Sequence, residues 1–285
     1  MTTLRDKVIF MSGGSRGIGL AIAKRAAADG AKIAIAAKTD QPHPKLPGTI
    51  HTAATAIEKA GGQALPIVCD IRHEEQVEQA VHQTAAHFGG IDICINNASA
   101  IALTGTLETP MKRFDLMHEI NTRGTYLVSR QCIPYLRQAQ NPHVLNLAPP
   151  LDMAAKWFAP HVAYTMAKFG MSMCVLGMAQ EFAADGIAFN ALWPRTGIAT
   201  AAIEFIAGNE AVQACRKPEI LADAAHIILT SDASTFTGHF CIDDNLLYAH
   251  GVTDFEQYAV NPEHKPWLDF FVPVDVPPPP GSLSS

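Results

Sequence analysis

The chain has 285 residues, 48% of them hydrophobic and 17% charged, with a formal net charge of −6. That length suits one α/β domain with a sizeable core, and the acidic balance without clustered Lys and Arg argues against a nucleic-acid partner. Six cysteines without a CxxC pair and twelve histidines without an HxxxH or HExxH pattern argue against a disulfide frame and a metal site.

Short apolar segments alternate with amphipathic ones along the chain. Val8–Met11 predicts a first strand, and Ile18, Ile22 and Ala26 then line one helical face. Lys32–Ala37 predicts a second strand, followed by Thr39–Thr49, an inserted loop with three prolines and no periodicity. Ala64–Cys69 predicts a third strand. After it, Val77, Ala80, Val81, Thr84 and Phe88 recur at helical spacing, the clearest helix in the sequence. Ile91–Ile95, His143–Leu147, Ile187–Leu192 and His239–Ile242 predict strands four to seven. Helices over Gly124–Arg137 and Ala163–Phe182 carry more apolar residues than one core-facing stripe needs. The alternation predicts an α/β fold: a Rossmann-type, doubly wound, seven-stranded parallel sheet with helices on both faces.

Pro194–Arg216 lacks strand character and is expected to act as a substrate lid. Beyond Ile242 the chain is irregular but keeps Phe255, Tyr258, Trp267, Phe270 and Phe271, which are expected to dock on the body or on a neighbouring subunit. Residues 1–272 are expected to form one domain, and the proline-rich 273–285 a disordered tail. The amino terminus shows no signal-peptide pattern, and the longest apolar runs, such as Val175–Ala179 and Ile33–Ala37, are too short to span a bilayer. A cytoplasmic protein without membrane insertion is therefore expected.

Two motifs carry chemistry. Ser12-Gly-Gly-Ser-Arg-Gly-Ile-Gly19 joins the first strand to the first helix. Its Gly13, Gly17 and Gly19 permit a tight turn and let a pyrophosphate approach the helix amides. The end of the second strand ordinarily addresses the adenosine ribose, where a carboxylate favours NAD. Here it reads Ala36-Ala-Lys-Thr39 with no carboxylate until Asp40, while Lys38 and Arg16 suit a 2′-phosphate, so NADP(H) is favoured over NAD(H). Asp70 could hydrogen-bond the adenine amino group, and Asn96-Asn-Ala-Ser99 is a turn that could support the cofactor. The second motif, Tyr164-Thr-Met-Ala-Lys168, sets a phenol and an ammonium one helical turn apart on one face. A free tyrosine ionises near a pH of about 10, and a neighbouring positive charge favours its phenolate. On its own such a pair is ordinary surface decoration.

Together, Gly13–Gly19, Asn96-Asn-Ala-Ser99, Asn121, Tyr164-Thr-Met-Ala-Lys168 and Pro194 resemble the short-chain dehydrogenase/reductase family over about residues 5–245. Ala36–Lys45, Asn121-Thr-Arg-Gly-Thr-Tyr126 and Ala191-Leu-Trp-Pro-Arg-Thr196 are similar to its hydroxysteroid dehydrogenase-like branch and extend the resemblance to about Phe271. Some members of that branch carry a sterol-carrier domain after the reductase domain, and none is expected within these 285 residues.

The resemblance implies Tyr164 as general acid and base, Lys168 as its electrostatic partner and ribose ligand, and Asn121 as the holder of a water in a proton relay. It also implies cofactor contacts from Gly13, Ser15, Arg16, Gly17, Ile18, Gly19, Lys38, Asp70, Ile71, Asn97, Ala98, Ser99, Tyr164, Lys168, Pro194 and Thr196. It further implies a homodimer or homotetramer paired through the helices around Asn121 and Tyr164. Arg195 stands where the family usually has glycine.

One member of the family's set is missing. The family places a carbonyl-polarising serine just past the fifth strand, but this chain reads Leu147-Ala-Pro-Pro-Leu151, with no Ser or Thr between Asn146 and Tyr164. Loss of one such donor typically costs about 10²–10³ in rate. Asn146 and His161 are possible stand-ins, and Met153, Trp157, Phe158, Phe205 and Ile206 are candidates for an apolar pocket. The sequence thus predicts an NAD(P)(H)-dependent oxidoreductase that interconverts a carbonyl and an alcohol on a moderately hydrophobic lipid-, steroid- or terpenoid-like small molecule. The alternative is a dinucleotide-binding protein with weak or no catalysis.

Overall fold

Each predicted strand forms, with ends moved by two residues or fewer. In the computed structural model, which describes residues 3–42 and 47–283, the strands are β1 (Val8–Ser12), β2 (Lys32–Ala37), β3 (Gln63–Val68), β4 (Ile93–Asn96), β5 (His143–Asn146), β6 (Ala188–Trp193) and β7 (Phe240–Ile242). They make one parallel sheet in the order β3-β2-β1-β4-β5-β6-β7. Residues 43–46 of the predicted loop lie outside the described residues.

Alternation along β1 divides the core. Ile9 and Met11 face one hydrophobic cluster, shared with α1 (Gly17–Ala28), α2 (Ile50–Lys59) and α9 (Glu219–Thr230). Val8 and Phe10 face the other, shared with α3 (Glu74–Phe88), α5 (Thr125–Leu136) and α7 (Val162–Glu181). A strand buried on both sides needs a continuous apolar run, and β1 is buried at all five positions.

The remaining helices frame the carboxyl edge of the sheet. α4 (Met111–Met117) runs into a π-helical turn, His118–Gly124, that leads to α5. α6 (Ala155–Phe158) precedes α7, α8 (Ala201–Gln213) lies within the predicted lid, and α10 (Asp243–Ala249) follows β7.

Two expectations change. Taken as a whole helix, α7 is long and apolar enough to cross a membrane by length and composition, with a mean hydropathy of 1.3, although no single apolar run within it is. Its apolar window is 61% buried inside the fold, because the helix packs between the sheet and the loops above it. The second change concerns the tail. Over its described part, 273–283, it is docked rather than disordered, with Ser282 buried. Arg195 donates to the carbonyls of Val276 (3.1 Å) and Pro277 (3.4 Å), and Arg216 donates to that of Ser282.

Candidate active site

The carboxyl ends of β1, β4 and β5 are in register, Ser12 beside Asn96 and Asn96 beside Asn146. Their following loops therefore open on one edge, at the point where the strand order reverses between β1 and β4. Doubly wound sheets bind ligands in such a crevice.

Glycine is required there by close backbone packing. Gly13 has φ 76, and a Cβ on it would lie 2.7 Å from the Ala98 backbone. A Cβ on Gly19 would lie 2.5 Å from the Asn97 amide nitrogen. Asn97 Nδ2 donates to the Gly13 carbonyl at 2.7 Å, and the Ala98 N–H to Ser12 Oγ at 3.4 Å. Ser15 is buried in the turn. Arg16, the N-cap of α1, makes no side-chain capping hydrogen bond, so the first amides of the helix suit an anion.

Arg16 reaches sideways and donates Nη2 to the Gly48 carbonyl at 2.9 Å, while its Nε is buried without a partner among the described residues. Burial lowers its pKa from the usual value. Lys38 is exposed at the end of β2. Asp70 is engaged elsewhere: Arg72 Nε and Nη2 donate to both its oxygens at 2.6–3.1 Å. Those hydrogen bonds hold its carboxyl below the ordinary range. Ile71 is buried beneath the site against Gly124, whose added Cβ would meet it at 2.6 Å.

α7 buries Tyr164 and Lys168 together, 5% and 4% exposed. Lys168 Nζ donates to the Leu147 carbonyl at 2.7 Å and stands 5.0 Å from the Trp193 ring. Burial brings its ammonium down to about 7, with the Asp269 carboxylate pulling the other way. Burial also raises the Tyr164 phenol, and Asp269 raises it further. Both side chains face one cavity of about 200 Å³, together with Ile18, Asn97, Ser99, Pro194 and Asp269. Thr196 is fully buried nearby in sequence, its hydroxyl without a partner among the described residues.

A second, largely apolar hollow of about 350 Å³ adjoins Tyr164 and Asp269, walled by Ile101, Leu103, Trp193, Ile203, Ala207 and Trp267. The predicted pocket residues fare otherwise. Met153 and Phe205 are exposed, whereas Ile203, Ala207 and Ala211, on either side of a kink at Gly208 in α8, line the hollow. Trp157 and Phe158 pack on an aromatic cluster centred on Phe271 and Phe169. The Ile206 side chain lies outside the described residues. A larger depression of about 620 Å³ lies at the opposite edge of the sheet, lined by Asp6, Lys7, Asp92 and Gln140. The motif residues are all absent from it, so volume alone misplaces the site.

Asn121 sits in the π-helical turn, a geometry often found at functional sites. It is fully buried, and its amide clamps one residue: Nδ2 donates to the Ala100 carbonyl (2.9 Å) and Oδ1 accepts from the Ala100 N–H (2.8 Å). Neither stand-in for the serine is well placed. Asn146 is inside the core, donating to the Met171 carbonyl and accepting from Asn96. His161 meets the Thr165 hydroxyl through Nδ1 at 2.9 Å and lies edge-on to the Tyr164 ring. Ala148 is fully buried, and Ser172 donates to the Pro149 carbonyl at 2.6 Å, bracing the turn that lacks a hydroxyl.

Sequence reasoning missed Asp269. It is delivered by a strap that runs antiparallel to the chain after β6. Gly197 N–H donates to the Trp267 carbonyl (3.0 Å), Asp269 N–H to the Arg195 carbonyl (2.9 Å) and Trp193 Nε1 to the Phe270 carbonyl (2.8 Å). Its one signal in the sequence is a lone carboxylate within the otherwise apolar run Trp267-Leu-Asp-Phe-Phe-Val272.

Comparison with known proteins agrees with this fold. A family model described as short chain dehydrogenase matches residues 7–207. Hydroxysteroid dehydrogenase-like protein 2 of Danio rerio is 59% identical over 264 residues, which are 93% of this chain and 63% of that protein. The chain therefore spans less than two thirds of that relative. A putative dehydrogenase from Xanthomonas campestris superposes with a TM-score of 0.92 at 56% identity, covering 95% of this chain and 99% of the other. A short chain dehydrogenase from Mycobacterium thermoresistibile superposes with a TM-score of 0.92 at 52% identity, covering 99% and 100%.

Proposed function

The chain belongs to the short-chain dehydrogenase family, and from that premise we propose that it is an NAD(P)(H)-dependent oxidoreductase. It interconverts a carbonyl and an alcohol on a moderately hydrophobic small molecule. The observation that carries the reading is the joint burial of Tyr164 and Lys168 in a cavity at the carboxyl edge of the sheet, beside a largely apolar hollow. Lipid-, steroid- and terpenoid-like carbonyls suit that hollow.

The residues around the edge fit a nicotinamide dinucleotide. The crowded glycine turn and the start of α1 suit its pyrophosphate, with Gly13, Ser15, Arg16, Gly17, Ile18 and Gly19 as contacts. The unpartnered Arg16 Nε and the exposed Lys38 support a 2′-phosphate, hence NADP(H) over NAD(H). Asp70 and Ile71 would border the adenine, Asn97, Ala98 and Ser99 the ribose side, and Pro194 with the unpartnered Thr196 hydroxyl the carboxamide. When bound, the nicotinamide supplies or accepts a hydride.

Tyr164 gives a proton to the carbonyl oxygen in reduction and takes it back in oxidation. In the protein alone burial keeps the phenol neutral, the form that reduction requires. Lys168 favours phenolate while it is charged, so its help declines as pH rises through about 7. Asn121, with its amide committed to Ala100, acts as a positioning residue for the 97–100 turn. A homo-oligomer formed through α5 and α7 is supported by the exposed Tyr126, Met166, Met173 and Leu176. Light scattering that shows only monomer would refute it.

The test is oxidation of NADPH and NADH against aliphatic, terpenoid, steroid and acyl-thioester carbonyls. Tyr164→Phe is expected to lower turnover about 10²–10⁴-fold with dinucleotide binding intact. Tight dinucleotide binding without turnover on any carbonyl would instead favour the binding-protein reading, for which the absent hydroxyl at Ala148–Pro149 is the support.

A further inference from the structure

Three observations converge on Asp269. First, it lines both hollows of the site, sharing one with Tyr164 and Lys168 and the other with Tyr164 and the apolar wall. Second, it is held in place. Its backbone is tied to the Arg195 carbonyl, and Oδ1 accepts from the Phe270 N–H at 2.7 Å, its one side-chain hydrogen bond among the described residues. Third, the site lacks a neutral donor where its fold would place one, since Ala148 carries no hydroxyl and Pro149 no N–H.

We propose that the Asp269 carboxyl, in its acid form, donates a hydrogen bond to the substrate's carbonyl oxygen beside the Tyr164 phenol. It thereby replaces the hydroxyl that the Ala148–Pro149 turn does not provide. This inference rests on the oxidoreductase reading above. In reduction the carbonyl carbon gains the hydride and its oxygen gains the Tyr164 proton. The Asp269 proton stays on its own oxygen throughout and stabilises the charge that develops on the substrate oxygen.

The acid form is available near neutrality. Burial pushes the carboxyl up to about 7, Asp243 adds to the rise, and the Phe270 N–H and Lys168 oppose it. A neutral Asp269 also removes the negative charge that raises Tyr164 further. The titratable groups that interact with it are Tyr164 and Lys168 on α7, Asp243 on α10 and Cys215 after α8.

The experiment compares Asp269→Leu with Asp269→Asn. Carbonyl reduction, dinucleotide binding by fluorescence and thermal midpoints are measured on the full chain. Asp269→Leu is expected to lower kcat/KM by about 10²–10³-fold with dinucleotide binding retained. Asp269→Asn, whose amide keeps a donor, is expected to lose less.

Should Asp269→Leu not fold, the pH profile of Asp269→Asn decides. The fall in kcat/KM above pH about 7 is expected to lose one ionisation and to keep that of Lys168. An unchanged profile in Asp269→Asn overturns the proposal. So does full activity in Asp269→Leu with Tyr164→Phe inactive, which leaves the oxidoreductase reading standing. A loss in Asp269→Leu that Asp269→Asn shares in full also overturns it. Absence of turnover in the unaltered protein overturns both.

Discussion

The glycine turn, residues 12–19, and the carboxy-terminal strap, residues 255–283, border the same cavity by opposite means. The turn contributes backbone. Its residues adjoin one another in sequence, and its shape follows from positive φ at Gly13 and Gly17 and from the absence of Cβ atoms. The strap contributes side chains, and its shape follows from partners far away in sequence. Asp269 hangs from Arg195, and Phe271, fully buried with φ 66, touches Trp157, Tyr164, Phe169 and Trp193 with ring centroids 5.4–6.1 Å apart. A phenylalanine at positive φ is a strained conformation, and the aromatic cluster around it is what supports that strain.

A buried charge cluster anchors the strap. Arg195, 2% exposed, donates Nε to Asp244 at 2.5 Å and its other nitrogens to Asn245, Val276 and Pro277. The Arg195 N–H donates to Asp243 at 2.9 Å. Burial, then the neighbouring Asp244, pushes Asp243 up to about 7. The comparison teaches that one cavity can be bordered by a motif that needs only its own residues and by a segment that needs the rest of the molecule.

Three substitutions would break or sharpen this contrast. The largest effect is expected from Arg195→Leu, which leaves Asp244 buried without its ion partner. Removing one member of a buried pair costs about 3–5 kcal/mol, to be read from the urea midpoint, and the strap from 266 onward should become open to proteolysis. A change below about 1 kcal/mol would mean that the aromatic cluster, not the charge cluster, holds the strap.

Gly13→Ala comes next. It places a Cβ on the Ala98 backbone and forces alanine to positive φ, for a cost of about 1–3 kcal/mol. Dinucleotide affinity by fluorescence titration should fall while the strap stays protease-resistant. Loss of both together would tie the two regions into one unit. Lys38→Asp should be the mildest, a several-fold shift from NADPH towards NADH with stability unchanged, since Lys38 is exposed. No shift would show that Lys38 does not address the ribose.

Much of the frame is legible before folding. The strands announce themselves because a parallel sheet covered on both faces requires near-continuous apolar runs, and the prediction for Lys32–Ala37 matches β2 residue for residue. The gathering of the glycine turn, Asn97, Tyr164 and Lys168 around one cavity follows from motif order and sheet order together. Other features were not legible. The pairing of Asp70 with Arg72 and the clamp of Asn121 on Ala100 depend on rotamers that sequence spacing does not specify. The tail read as disordered from composition, yet two guanidinium groups bury its carbonyls.

The strands, the helices α1, α3, α5 and α7, the glycine turn and the Tyr164/Lys168 pair were thus set by the sequence alone, because each rests on local periodicity or on residues within one helical turn. The sequence also determined that the turn after β5 carries no hydroxyl. The approach of Asp269 to the cavity was not legible in that way. Asp269 reaches the cavity through hydrogen bonds between the 266–271 strap and residues 193–197, some 70 positions earlier in the chain, and its acidity is set by the burial those contacts impose. Pairing at that range comes from packing and hydrogen bonding in the closed fold, and local sequence rules do not encode it.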